Sequence, residues 1–401
     1  MKVVIRITGA VALFASVACG TDAQQASPLV SSSDRELGAL ASALLPDLAR
    51  RSGLELKEPI RLEMRTRAQL VTYLEHKLDE ELPAEEARYT VASYALLGLV
   101  PDTLDLRALL LGLYTEQVAG FYEPDSTALF ILDDQPAAAL QPLLVHELVH
   151  AVQDQSVDLE ALTDPGLGND RVIAAQAAIE GHATLVMLEY LTEQMRGAPV
   201  DLSEVPDFSS TLRPALEGMR AQFPALAGAP RVLQEGLLFP YLEGAGYVQA
   251  LWTRGGRAAP FGDLLPLSTE QILTRDRDDP PVRLALRVAG GTVVHQDDLG
   301  RLELGVLLDT HVGEGARARA VGWGGDRYAL VDLPGGGRGL ALAVAWDDAT
   351  ARDRFVTTLG SALAAFRPGA TLEALDVGGR PCALLRVGLP ASVRVTATVA
   401  S

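Results

Sequence analysis

A mostly apolar helix places the strongest limits on how this chain can fold. Residues 136–155 have helical spacing, yet leucines and valines around His146, Glu147 and His150 leave little polar face. A helix of this kind belongs in the interior, where its imidazoles and carboxylate need partners. An exposed helix face is the alternative, and the apolar neighbours argue against it.

The spacing of these three polar residues is typical of a metal site. His146 and His150 are four positions apart, about 40° in azimuth and roughly 6 Å in rise, so both imidazoles can reach one ion. Glu147 lies about 100° from His146, where it can contact water bound to that ion. The 401 residues include only six histidines. A chance H-E-x-x-H pattern is therefore expected in on the order of one per hundred such chains.

A catalytic zinc site needs a third protein ligand and one position open to water. Ser156 follows His150 by six residues, which argues against a third histidine there. Glu180 lies on the next predicted helix, over 172–195, where an unpaired carboxylate would be costly and a metal ion would neutralise it. His182 competes for the role, but residues two apart point about 160° apart on a helix. We favour Glu180 as the ligand and interpret His182 as a satisfied or exposed histidine.

These residues resemble the gluzincin zinc metallopeptidases, in which two histidines and a downstream glutamate bind zinc. Over residues 115–330 the chain is also similar to a bacterial family of exported H-E-x-x-H proteins. That similarity rests on residues 146–155, 180–184, 239–241, 268–273 and 322–328. The chain departs from the family at position 182, usually acidic there, and at 274–277, where the family has a His-Pro-x-x-Tyr run.

The resemblance implies a zincin-like fold and hydrolysis of a peptide bond in a peptide or protein substrate. It implies that His146, His150 and Glu180 bind Zn²⁺. It also implies that Glu147 is the general base for a zinc-activated water and returns the proton to the leaving amine. The alternative is a binding or scaffold lipoprotein in which zinc stabilises the fold and has no catalytic role. A third interpretation is a structural envelope protein without metal.

Three more residues are candidates for supporting roles. Gluzincins place a tyrosine or histidine beside the developing oxyanion, so Tyr241 and Tyr247 are candidates here. For each, a role in the core or at an interface is the more common one. Asp154, one turn after His150, can either accept a hydrogen bond from a ligand histidine or lie solvated at the helix end.

The N-terminus has the pattern of a bacterial export signal. Lys2 and Arg6 flank the start of an apolar run of about a dozen residues, short of the roughly 20 that span a bilayer. Residues 16–19 resemble a lipobox, so we expect cleavage after residue 18 and a membrane anchor through a lipid on Cys19. An ordinary secretory signal cut near Ala23 is the alternative. Both interpretations predict an exported protein, and we expect it in the cell envelope, in the periplasm or as an outer-membrane lipoprotein.

The charge and the cysteine content argue against a nucleic-acid-binding protein and against an enzyme with a cysteine nucleophile. The chain has 52 acidic and 34 basic residues, a formal net charge of −18, which argues against binding nucleic acid. Cys382 is the only cysteine besides Cys19. It lies in an alternating strand pattern, so we expect a buried, inert thiol rather than a nucleophile.

The predicted elements describe an α+β protein. We divide it into a signal peptide (1–18), a tether (19–33), a zincin-like module (34–290) and a smaller C-terminal α+β domain (295–401). Within the module, a glutamate helix follows the metal helix, and a hairpin precedes it. By analogy with zincins, we expect the strand over 128–132 to present its edge to an extended peptide. The alternative is that its apolar side chains are plain sheet core.

Overall fold

The protein has an α+β fold, as the sequence predicts. It is represented by a computed structural model. The described residues are 29–205, 214, 218, 223–257 and 259–400. The predicted signal peptide, Cys19 and most of the predicted tether lie outside them.

Helices make up most of the described chain. They are α1 (Arg35–Ser52), α2 (Arg67–Glu81), α3 (Ala84–Leu96), α4 (Leu106–Gln117), α5 (Ala137–Asp154), α6 (Leu159–Leu162), α7 (Asn169–Arg196), α8 (Pro224–Gly228), α9 (Arg231–Phe239), α10 (Ala245–Gly255), α11 (Thr269–Thr274), α12 (Gly300–Val312) and α13 (Ala349–Phe366). A π-helical turn, Pro240–Gly244, joins α9 to α10. The predicted metal and glutamate helices are thus observed as α5 and α7. None of the helices in this part of the chain combines the length and apolar character that a membrane crossing needs.

The strands form separate sheets. They are β1 (Val30–Ser32), β2 (Ile60–Arg65), β3 (Gly120–Glu123), β4 (Ala128–Leu132), β5 (Leu284–Ala289), β6 (Thr292–Asp297), β7 (Trp323–Asp332), β8 (Arg338–Trp346), β9 (Thr371–Val377), β10 (Arg380–Val387) and β11 (Arg394–Val399). The first sheet has the order β1-β2-β4-β3, the second β6-β7-β8-β10-β9, and the third pairs β11 with β5.

Strand β4 corrects one expectation. It runs parallel to β2, with Ala128 opposite Arg61, and antiparallel to β3, with Leu129 opposite Tyr122. Both of its edges are therefore paired, and the prediction that this strand presents an edge to an extended peptide is wrong. The hairpin turn at 124–127 places β3 on one edge, as the sequence predicts, and β2, more than sixty residues earlier in the chain, pairs with the other edge. The outer antiparallel strand of this sheet is β3.

The two predicted domains are joined by a pair of strands and by a common apolar core. Strand β5 lies in the first predicted domain and β11 at the end of the second, yet Leu284 pairs with Val399 and Ala289 with Arg394. One continuous apolar core also contains residues from both parts, including Leu148 on α5 and Leu304 on α12. Burial of these residues is what holds the helices against the sheets.

Helices α5 and α7 form the centre of the first part. Helix α5 packs on β3, β4, α1 and α7. Helix α7 has 28 residues, so it is roughly 40 Å long, and most of its side chains are buried. It ends at Gly197, whose φ of 63° lets its N–H bond back to the carbonyl of Glu193 at 2.8 Å. The pairing of these two helices positions the site described next.

Candidate metal centre

Two histidines from α5 and one glutamate from α7 meet in the interior. The Nε2 atom of His146 lies 3.1 Å from Oε2 of Glu180 and 3.0 Å from Nε2 of His150. The distance from Nε2 of His150 to Oε2 of Glu180 is 3.5 Å. Their exposed fractions are only 1%, 0% and 6% for His146, His150 and Glu180. One ligand atom from each lies within 4.8 Å of the other two, so the group can hold a metal ion.

The local reason for this convergence is helical geometry. One turn of α5 separates His146 from His150, and their rings lie edge to face with centroids 4.7 Å apart. The apolar residues Leu144, Leu148 and Val149 are fully buried around them, so the helix is anchored on all sides. The carboxylate of Glu180 reaches the same point from α7, which packs directly on α5.

The charge states of the three residues depend on one another. Burial alone would raise the pKa of Glu180, but the charges and hydrogen bonds of His150 and His146 lower it to about 2. Burial lowers the pKa of His146, an effect that its bond to Glu180 only partly offsets. Burial also acts to lower the pKa of His150. The negative charges of Glu180 and Glu147 outweigh this effect, so the pKa of His150 is raised. The carboxylate of Glu180 is therefore ionised at neutral pH, as a ligand must be.

Glu147 faces this same space. Its side chain is fully buried. Its negative charge acts on His150, and it also contributes to the raised pKa of Tyr241. Because Glu147 is next to His146 on α5, it lies beside the three convergent residues rather than among them.

Tyr241 reaches the site from the π turn. Its ring centroid lies 6.4 Å from that of His146. Burial, followed by the charges of Glu180 and Glu147, raises the pKa of Tyr241 well above its usual range. Its hydroxyl thus stays protonated and can donate a hydrogen bond within the site. π turns are frequent at functional sites, and here the turn brings the tyrosine to the glutamate.

The other candidates lie elsewhere. Tyr247 donates its hydroxyl hydrogen bond to the carbonyl of Leu264 at 2.7 Å. Asp154 accepts a hydrogen bond from the hydroxyl of Tyr122 at 2.9 Å, rather than from a histidine of the site. Cys382 is buried as expected, and burial raises the pKa of its thiol to about 11.

Gln153 is a residue of the site that was not expected from the sequence. Its Oε1 atom lies 2.8 Å from Nδ1 of His150, and its Nε2 lies 3.0 Å from Nδ1 of His182. Positions three apart on a helix are neighbours, so the spacing from His150 to Gln153 carried a signal that could have identified it. His182 is buried and satisfied, and burial lowers its pKa to about 3. It faces Gln153 rather than the three convergent residues.

Comparison of the chain with protein-family models, curated proteins and solved structures finds no match. The resemblance to the gluzincins therefore stays a prediction. Any function for this site has to be argued from its own geometry.

Proposed function

We propose that this protein is a zinc-dependent peptidase of the gluzincin type with a zincin-like catalytic module. The observation that carries the proposal is the convergence of His146, His150 and Glu180, with Glu147 beside them. Two imidazoles and one carboxylate are a common donor set for catalytic zinc, whereas magnesium and calcium prefer oxygen ligands alone.

The ligand spacing supports zinc. Atoms held about 2.0–2.2 Å from a tetrahedral ion lie roughly 3.3–3.6 Å from one another. The three distances here are 3.0 Å between the two Nε2 atoms, and 3.1 Å and 3.5 Å to Oε2 of Glu180. One of these distances lies within that range and the other two are slightly shorter, so the three donor atoms lie close to the positions that a single tetrahedral ion requires.

The number of ligands favours catalysis over a structural role. Structural zinc sites are closed by four protein ligands, while catalytic sites use three and leave one position for water. Within the described residues, three ligand atoms converge. This count favours the peptidase over a zinc-stabilised scaffold lipoprotein, the second candidate function.

The chemistry divides among the residues of the chain. Bound zinc supplies a Lewis acid that lowers the pKa of a water molecule and polarises a carbonyl group. Glu147 takes a proton from the attacking water and then gives it to the departing amine. Tyr241 donates its hydroxyl hydrogen bond to the substrate oxygen that gains charge.

The location of the protein rests on the sequence. We propose that it is exported and anchored through a lipid on Cys19, in the periplasm or outer membrane of a bacterial envelope. This fits the apolar segment near the N-terminus and the acidic composition of the chain.

The proposed function is tested with Glu147→Gln. Purified wild-type and variant proteins are compared for zinc content by elemental analysis and for cleavage of a peptide library. We expect both proteins to hold one equivalent of zinc, and cleavage to fall by about 100-fold or more in the variant. Glu75→Gln, on the exposed surface of α2, is the matched control. Equal cleavage by wild type and Glu147→Gln would exclude Glu147 as the base, and no cleavage by either would favour the scaffold.

A further inference from the structure

A continuous set of buried hydrogen bonds runs from the metal centre into α1. Nδ1 of His150 bonds to Oε1 of Gln153 at 2.8 Å. Nε2 of Gln153 bonds at 3.0 Å both to the carbonyl of Ile179 and to Nδ1 of His182. Nε2 of His182 lies 3.0 Å from the carbonyl of Ser52, the last residue of α1. The set therefore joins α5, α7 and α1 behind one ligand.

Two backbone carbonyls determine the direction of every bond in this set. A carbonyl oxygen only accepts, so the atom of Gln153 that faces Ile179 must be the amide NH₂ group. The same reasoning makes Nε2 of His182 the donor to Ser52, so its Nδ1 is free to accept from Gln153. Both hydrogens of the Gln153 amide are thus used.

The orientation of the amide then decides the tautomer of His150. With its NH₂ group turned toward α7, Gln153 presents its carbonyl oxygen to Nδ1 of His150. That nitrogen must donate, so its hydrogen is on Nδ1 and the lone pair is on Nε2. Nε2 is the atom that faces His146 and Glu180. A ligand histidine needs this tautomer to bind a metal ion.

We infer that Gln153 is a positioning residue that holds His150 in its ligand tautomer and orientation by accepting the hydrogen bond from Nδ1. Its bonds to Ile179 and His182 determine which atom of the amide faces His150. The inference rests on the proposed metal centre and adds to it a residue that touches neither substrate nor ion. An amide in place of the more common carboxylate has a physical consequence. Gln153 supports the ligand without adding negative charge, and its NH₂ group ties α5 to α7.

The test compares Gln153→Met with a matched glutamine. Met is similar in volume but lacks the amide, so it cannot orient His150 or bond to Ile179. The control is Gln249→Met, because Gln249 is also buried and its Nε2 donates to the carbonyls of Leu202 at 2.7 Å and Val205 at 2.6 Å. The full chain is used, with zinc affinity measured by competition with a chromogenic chelator. The visible spectrum of the Co²⁺-substituted protein reports the ligand geometry, independently of activity.

We expect Gln153→Met to bind zinc about 10- to 100-fold more weakly and to have an altered Co²⁺ spectrum. Gln249→Met should keep wild-type affinity and spectrum, although it lowers the unfolding temperature. An unchanged affinity and spectrum in Gln153→Met would overturn the inference, and so would equal losses of affinity in both variants. A wild-type protein that binds no metal would instead refute the proposed function, and the inference with it.

A second variant keeps the test decisive if Gln153→Met does not fold. Gln153→Glu retains an acceptor for Nδ1 of His150 but loses both hydrogen-bond donors. We expect it to retain zinc affinity and the wild-type Co²⁺ spectrum while its unfolding temperature falls. Loss of zinc binding in a folded Gln153→Glu protein would contradict the proposed role of the acceptor.

Discussion

Gly181 of α7 and Gly244 of the π turn are in direct backbone contact. A Cβ atom on Gly181 would lie 2.1 Å from the carbonyl carbon of Gly244, and one on Gly244 would lie 2.1 Å from the carbonyl oxygen of Ala177. Gly181 therefore faces the π turn. The contact places the turn that carries Tyr241 against the helix that carries Glu180. Only two glycines allow the backbones to approach so closely.

Gly181→Ala should therefore destabilise the protein. The added methyl group meets backbone atoms, which cannot move aside as a flexible side chain can, so we expect a loss of about 1–3 kcal/mol. Gly360→Ala is the control, because Gly360 lies in α13 and a Cβ atom added there would have no neighbouring atom within 4 Å. That change should stabilise the helix by about 0.5–1 kcal/mol. Urea denaturation of both variants measures these values, and a fully stable Gly181→Ala would contradict the close contact.

The variants Tyr241→Phe and Tyr247→Phe should distinguish a catalytic role of the first tyrosine from a structural role of the second. Removal of the Tyr241 hydroxyl should lower kcat by about 100-fold with little change in KM, because its hydrogen bond acts on charge that develops during reaction. Removal of the Tyr247 hydroxyl, which bonds to the carbonyl of Leu264, should cost about 1 kcal/mol of stability and leave kcat unchanged. Steady-state kinetics with a peptide identified by library cleavage makes the comparison. Similar kcat values for the two variants would exclude Tyr241 as the donor.

Metal binding should stabilise the protein through Glu180. A ligand that binds only the folded state raises the unfolding temperature, so chelator treatment should lower it in the wild-type protein. Glu180→Gln removes the charged ligand and should abolish most of this difference. Glu193→Gln, on the same helix but paired with Arg51 at 2.9 Å, should retain it. Thermal unfolding with zinc and with chelator measures the effect, and an unchanged zinc response in Glu180→Gln would rule out this ligand.

Three aspartates with raised pKa values make the free energy of unfolding depend on pH. Asp170 and Asp326 are buried, and Asp298 is half-buried. Asp298 accepts a hydrogen bond from the N–H of Asp170, and Asp326 accepts from the N–H of Leu299. Burial, followed by the charge of a neighbouring carboxylate, raises the pKa of Asp170 to about 7 and of Asp298 to about 8. Burial also raises the pKa of Asp326 to about 7, although the hydrogen bond from the N–H of Leu299 acts to lower it.

The sign of the effect follows from these shifts. A carboxyl group whose folded-state pKa lies above its unfolded value of 3.8 favours folding while it is protonated. That contribution is fully present below about pH 4 and is lost as the pH rises to about 8. We therefore expect the unfolding temperature to fall between about pH 4 and about pH 8, and Asp170→Asn to reduce this fall. Asp102→Asn, on the exposed surface, serves as the control. A slope unchanged by Asp170→Asn would refute the contribution of Asp170.

The sequence predicts most of what is local in this structure. The metal helix predicted over 136–155 is observed over Ala137–Asp154, and the glutamate helix predicted over 172–195 lies within Asn169–Arg196. Both depend on apolar spacing within one segment, which a single sequence contains in full. The approach of His146 to His150 is equally local, since one helical turn sets it. The sequence favours Glu180 as the third residue of the site because a carboxylate in an apolar helix requires a partner.

Contacts between distant segments were decided by the tertiary structure. Strand β4 has no free edge because β2, more than sixty residues earlier, pairs with it. Likewise β5 and β11 pair across about a hundred residues, which no local pattern indicates. Tyr241 and Tyr247 are six positions apart, and the π turn brings only the first of them to Glu180.

The amino-acid sequence alone thus determined the helices, the hairpin, and the paired histidines with their adjacent glutamate. Helical and strand periodicity act over a few residues, so these features need no knowledge of the rest of the fold. The tertiary structure decided which partner each buried polar group meets. It joined Gln153 to His182 and Gly181 to Gly244, because those contacts depend on how helices pack, and packing is set by the whole core at once.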